Sequence, residues 1–183
     1  PCFQNFNKIR KEGINMNSIF TRRSIRKYLN KPVEGEKIEQ LLKAAMQAPS
    51  AGNQRPWEFL VVQEAELLHK LSLMSPYAGP VKEAKAAIVV LGNKEGESVK
   101  FPECIPQDLS AATQNLLIEA AELELGAVWL GVAPVEERMK YITELFDLPE
   151  FIVPFAVIPV GYPETENTYV DRYEKAKVHY GKY

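Results

Sequence analysis

Ala86-Ala87-Ile88-Val89-Val90-Leu91 is the longest nearly uninterrupted apolar run in the chain, and the architecture turns on how it is read. Six residues fall far short of the roughly 20 that a membrane-crossing helix needs, so the run reads as a strand buried on both faces. Working upstream, residues 57–62 are β-rich and read as another strand, and residues 64–75 as an amphipathic helix. Before them, Val33, Ile38, Leu41, Leu42, Ala45 and Met46 fall at mostly helical spacing. Glu34 and Glu36 sit near the favourable end of that helix dipole, and Pro49 stops it. A short helix capped by Asn17 or Ser18 runs into Thr21, Arg22 and Arg23.

Working downstream, residues 92–107 dissolve into charge, Gly and Pro, long for a connection in a compact domain and therefore a candidate lid, with Phe101 and Cys104 in it. Residues 108–125 form the strongest helix, capped by Asp108 and ended by Gly126. Its small residues Ser110, Ala111 and Ala112 permit close approach of another backbone. Residues 127–132 read as a strand, 135–146 as a helix after Pro134, and 154–160 as a further strand. The tail from Tyr162 to Tyr183 is polar and aromatic without a period, as befits a segment lying along a surface.

The 183 residues, 46% of them hydrophobic, suffice for one core, so residues 16–183 are read as a single domain. Residues 1–15 are set aside as a disordered extension or a remnant of expression. Lys and Arg number 22 against 24 acidic residues, a balance that gives no overall field for nucleic acid or an anionic membrane. A cytoplasmic address follows from the missing secretory signal, and Cys2 and Cys104 make no disulfide framework or zinc cluster. Rossmann and P-loop signatures are absent, as is any G-x-S-x-G turn. His69 lies within an amphipathic helix and His179 in the tail, so neither reads as a catalytic base.

Two polar constellations remain. Arg22-Arg23-Ser24-Ile25-Arg26 places three guanidinium forks and a hydroxyl in five positions, suited to phosphate oxygens; taken alone it reads first as a solvated basic helix end. Across one helix follows Ala48-Pro49-Ser50-Ala51-Gly52-Asn53-Gln54-Arg55-Pro56-Trp57, a loop whose Ser, Asn and Gln side chains can bond a sugar chain or a polar ring edge. Together they resemble the nitroreductase family, with its R-R-S-[IV]-R start and P-S-x-x-N-x-Q-P-W loop. The resemblance continues through Asp108-Leu109-Ser110-Ala111-Ala112-Thr113-Gln114-Asn115-Leu116, Leu125-Gly126-Ala127-Val128-Trp129-Leu130-Gly131, Pro159-Val160-Gly161-Tyr162-Pro163, Arg172-Tyr173 and Val178-His179-Tyr180. The chain departs from the family pattern at Glu124, where many members have Gly, and at Arg55 ahead of Pro56-Trp57.

The resemblance implies an α+β fold, a three-layer α/β/α sandwich with a mixed, mainly antiparallel sheet, in an intertwined homodimer. It implies flavin mononucleotide (FMN) as cofactor, with Arg22, Ser24 and Arg172 on the phosphate, Arg23 on the ribityl chain or ring edge, and Arg26 on the pyrimidine side. Pro49, Ser50, Ala51 and Asn53 would reach the same flavin from the other subunit, and backbone at Leu130 and Gly131 would lie near N5. No protein side chain need act as catalyst, because the flavin carries the chemistry between NADH or NADPH and a nitroaromatic, quinone or similar small acceptor. The alternatives that fit the same residues are a flavin-binding, storage or sensing protein without turnover, or a relative with dehalogenase or flavin-cleaving activity.

Overall fold

The structure, a computed structural model, describes residues 18–183. The extension expected over residues 1–15 and a helix cap at Asn17 lie outside them. In chain order the helices are α1 (Ser18–Thr21), α2 (Gly35–Met46), α3 (Ala65–Leu71), α4 (Pro80–Glu83), α5 (Ile105–Glu122) and α6 (Glu136–Leu145). The strands are β1 (Trp57–Val62), β2 (Ala86–Asn93), β3 (Gly126–Ala127), β4 (Leu130–Gly131) and β5 (Ile152–Gly161). Among the described residues no helix is long and apolar enough to cross a membrane.

The apolar run at residues 86–91 is the centre of the sheet. β2 pairs antiparallel with β1 on one side and β5 on the other, in the order β1-β2-β5-β3, with β4 also on β5. Alternation along the strands divides the core in two. Ala86, Ile88, Val90, Ile158 and Val160 face Ile38 and Leu41 of α2 and Leu109, Leu116 and Leu117 of α5. Ala87, Val89, Leu91 and Val157 face Leu68 and Leu71 of α3 and Ile142 of α6. Both faces of β2 are therefore covered, and the architecture is the expected α/β/α sandwich. An isolated parallel bridge from Ser24 to Ala127 at the β3 edge makes the antiparallel sheet mixed.

Four expectations are corrected. α1 is a single turn ending at Thr21, so Arg22 and Arg23 lie beyond the helix in an extended segment held to the sheet edge. α5 begins at Ile105, with Pro106 in its first turn where a missing N–H costs nothing. Asp108 is thus no cap, and the candidate lid loses its last residues to the helix. The strand expected over 127–132 is two short pieces in one register: Gly126 lies opposite Gly161 and Gly131 opposite Ala156, and the ladder opens between them at Val128 and Trp129. Trp129 there leans edge-on against Phe155, centroids 5.7 Å apart.

The end of α5 is the fourth. Glu124, at φ +60°, makes the left-handed turn after the helix, the conformation for which glycine is usual. Gly126 serves closeness instead: a Cβ there would meet Cγ2 of Ile25 at 2.6 Å. The missing side chain lets the arginine-bearing segment lie against β3.

Candidate functional site

Burial alternates along the segment after α1. Ile25 is buried, while Ser24 and Arg26 are exposed on either side of it. The Ile25 N–H donates to the carbonyl of Ala127 at 3.0 Å, and the Tyr28 hydroxyl, buried beneath, donates to the carbonyls of Ile25 at 2.7 Å and Pro159 at 3.3 Å. Burial drives the Tyr28 phenol pKa well above its usual value, so it remains a neutral donor. The segment is a rigid rail. Were residues 22–26 fully extended, Arg22 and Arg26 would stand at most about 13 Å apart, at roughly 3.3 Å per residue.

Arg172 joins this rail from the other end of the chain. The tail folds back over α1, where the Val170 N–H donates to the Phe20 carbonyl at 3.3 Å and the Phe20 and Tyr169 rings meet at 6.0 Å. A cleft of about 320 Å³ results, lined by Phe20, Arg22, Arg23, Asp171, Arg172 and Tyr173 among others. Burial first, then the charges of Arg172 and Arg23, lower the pKa of the Arg22 guanidinium. Like charges are thus held together under partial desolvation, an arrangement that an anion relieves.

Arg23 is anchored rather than free. Its N–H donates to Asn167 Oδ1 at 2.9 Å, and its Nη1 donates to the carbonyls of Arg22 at 2.6 Å and Phe20 at 3.3 Å. Its Nη2 is buried without an acceptor. A buried guanidinium N–H normally has one, so an acceptor is wanted there. Arg26 lines a different cleft of about 400 Å³, with Lys27, Tyr28, Lys82, Glu83 and Glu164 among its walls. The rail thus runs from the cleft at Arg22 and Arg172 to the one at Arg26. An elongated group bearing phosphate at one end fits this chemistry.

The loop before β1 lies elsewhere. The Ala51 N–H donates to Asp108 Oδ1 at 2.9 Å, which ties the loop to the first turn of α5. α1 is tied to the last turn, where the Ser18 hydroxyl donates to the Glu122 carboxylate. Asp108 and Glu122 are separated by about 21 Å along the helix, at 1.5 Å per residue. Within one chain, then, the structure does not bring Pro49, Ser50, Ala51 and Asn53 to the arginines. Ser50 Oγ accepts the Arg55 N–H at 2.9 Å, and Asn53 and Pro49 are exposed.

Leu130 and Gly131 occupy β4 on the outer side of β5. The Gly131 carbonyl accepts Arg138 Nη1 at 2.8 Å, and a Cβ built on Gly131 would meet nothing within 4 Å. Open space lies beside that backbone.

Reading the sequence missed four contributors: Asn167 and Arg138, which hold backbone of site residues, and the buried pair Gln54 and Asp108. Gln54 belonged to a loop whose polar side chains were expected to face a ligand, yet it is turned inward. Asp108 carried a signal of a different kind, an acid in the first turn of an otherwise apolar face, which a cap explained too easily.

The comparisons with known proteins bear on the family and the fold. The model of the nitroreductase family matches residues 19–95 and 76–162. A crystal structure from Clostridium acetobutylicum, provisionally named an NADH oxidase, is 53% identical and covers 91% of this chain and 100% of its own at a TM-score of 0.88. A structure of an FMN-dependent nitroreductase from Clostridium difficile R20291 is 32% identical, with a TM-score of 0.84 and coverage of 92% of this chain and 100% of its own. A relative from Archaeoglobus fulgidus, provisionally named an NADH dehydrogenase/NAD(P)H nitroreductase, is 45% identical over 168 residues, 90% of this chain and 96% of its own. On the match of the family model and the likeness in sequence and fold over most of its length, the chain belongs to the nitroreductase family.

Proposed function

We propose that this chain is an FMN-dependent NAD(P)H oxidoreductase acting on a nitroaromatic, quinone or similar small acceptor, as a homodimer. The observation that carries the reading is the convergence of Arg22, Arg23 and Arg172 on one cleft, with mutual repulsion and an orphaned buried Nη2. Arg22, Ser24 and Arg172 would hold the phosphate, Arg23 the ribityl chain, and Arg26 the pyrimidine edge at the far end of the rail. FMN held there would supply the hydride-transfer chemistry between NAD(P)H and the acceptor. The chain's own part is placement and electrostatics. A guanidinium at Arg26 favours negative charge developing at that edge, and the rail keeps it in place without reorganisation. Open space beside Gly131 leaves backbone free to approach the ring.

The homodimer rests on two further observations. The loop that carries Ser50 and Asn53 sits a helix length from the arginines, so both sets reach one ligand when the loop comes from a second copy. Ile19 is 62% exposed and Tyr173 67%, adjoining the half-exposed Phe20, Tyr169 and Val170, an apolar surface suited to burial against a partner.

The test is FMN retention and turnover. Wild-type protein should keep FMN through desalting and oxidise NADH or NADPH with menadione or a nitroaromatic acceptor, whereas Arg22→Ala with Arg172→Ala should lose FMN with its fold intact. Retained FMN without turnover would leave a storage or sensing protein. Full occupancy in the double variant would remove the phosphate assignment.

A further inference from the structure

Between Ser50 and β1 the backbone is left-handed at Gly52, Asn53 and Arg55, with φ of +54°, +57° and +46°; glycine and asparagine accept this region readily, whereas Arg55 does not. Left-handed backbone costs L-residues steric energy, so something must hold it. Two side chains do, and the cofactor contacts proposed above require neither. Gln54 is 2% exposed and Asp108 4%. Gln54 Oε1 accepts the N–H groups of Phe101 at 2.9 Å and Lys100 at 3.2 Å. Its Nε2 donates to the Phe101 carbonyl at 3.0 Å and to Asp108 Oδ2 at 2.7 Å, while Asp108 Oδ1 accepts the Ala51 N–H.

A carboxylate is demanded at position 108 because both of its partners are donors. An amide there would supply one acceptor and turn its own NH₂ toward another donor. The amide of Gln54 also fixes the backbone of Phe101 on both its N–H and its carbonyl. The Phe101 ring, 42% exposed, lies against Gly52, where a Cβ would come within 2.8 Å of Cε2. One amide and one carboxylate thus lock the 50–53 loop, the Phe101 ring and the first turn of α5 into a single wall.

We infer that Gln54 and Asp108 are positioning residues for the flavin and acceptor site, holding Ser50, Ala51, Asn53 and the Phe101 ring in binding geometry before any ligand arrives. The inference rests on the proposed reading that this loop reaches FMN. Its consequence is that FMN affinity and acceptor KM depend on the donor–acceptor match between positions 54 and 108, beyond any effect on stability.

The match can be broken and remade. Asp108→Asn turns an NH₂ against either the Gln54 NH₂ or the Ala51 N–H, and Gln54→Glu sets a carboxylate oxygen against Asp108 and the Phe101 carbonyl. The double variant Gln54→Glu with Asp108→Asn restores a donor facing an acceptor between the two side chains and keeps the bonds from Ala51, Lys100 and Phe101 N–H, but leaves a carboxylate oxygen facing the Phe101 carbonyl in place of the lost donor. FMN binding, visible circular dichroism of the bound flavin, and KM and kcat with menadione are measured below every variant's thermal midpoint. Each single variant should weaken FMN binding by about tenfold or more and raise KM more than it lowers kcat, and adding Asp108→Asn to Gln54→Glu should recover part of both losses. Single variants that unfold at lower temperature yet bind FMN and menadione as wild type would overturn the inference, as would a double variant no better than Gln54→Glu alone. Wild-type protein that binds no FMN would bring down the proposed function and this inference together; wild-type binding with indifferent variants would bring down this inference alone.

Discussion

Gly126→Ala tests the rail directly. The added Cβ would stand 2.6 Å from Cγ2, 2.8 Å from Cβ and 3.0 Å from Cγ1 of Ile25. Carbon atoms rest at about 3.5–4.0 Å, so the two segments must part by roughly 1 Å. Rotation of Ile25 cannot relieve the contact, because one of the offending atoms is its Cβ, fixed by the backbone. Parting by that amount stretches the 3.0 Å bond from the Ile25 N–H to the Ala127 carbonyl beyond hydrogen-bonding range. Overpacking costs about 1–3 kcal/mol and the lost bond about 1 kcal/mol, some 3 kcal/mol in all. For a domain of this size that lowers Tm by about 6–12 °C. Arg22, Ser24 and Arg26 move with the rail, so FMN affinity should fall as well. Thermal unfolding followed by circular dichroism and FMN titration check both parts. A Tm within about 2 °C of wild type, with unchanged FMN affinity, would refute the claim that the missing side chain sets the rail's position.

The same substitution at Gly131 should behave oppositely: a Cβ there meets nothing within 4 Å, so stability should change by less than about 0.5 kcal/mol. FMN affinity should nonetheless fall by about tenfold, since the methyl enters space assigned to the ring, and unchanged affinity would displace the flavin from β4. A third prediction concerns acid. The Tyr162 hydroxyl, donating to Glu34 at 2.7 and 3.0 Å, is the largest of the influences that hold this carboxyl below its ordinary 4.5, ahead of its own backbone N–H and the charges of Lys31 and Lys37. A depressed folded-state pKa stabilises above the unfolded value and is lost as pH falls through the folded one. Tyr162→Phe should therefore lower Tm near neutral pH and lose that deficit progressively below about pH 4.5, whereas a deficit constant with pH would count against the bond.

The secondary structure was legible where one periodicity dominated a segment. β2, β1 and α2 lie where the apolar pattern put them, because a strand buried on both faces must be apolar throughout and an amphipathic helix must repeat its stripe. Boundaries were less legible. Pro106 hid the true start of α5, since proline is as much at home in a first helical turn as in a loop. Glu124 hid the end of the same helix, because the left-handed residue after it is not the glycine that usually announces such a turn.

Of the site, residue types were written in the chain and their company was not. Arg22, Arg23 and Arg26 alone read first as a solvated basic helix end, and only their order with the loop at residues 48–57 carried the match to a known family. That Arg172 meets Arg22 from some 150 positions away depends on the tail folding back over Phe20. That Gln54 faces inward and Asp108 serves the loop depends on three distant backbones meeting at one buried amide. Local pattern records which face of an element is apolar, whereas the pairing of two polar groups distant in sequence is decided only when tertiary packing excludes water and leaves each the other's partner.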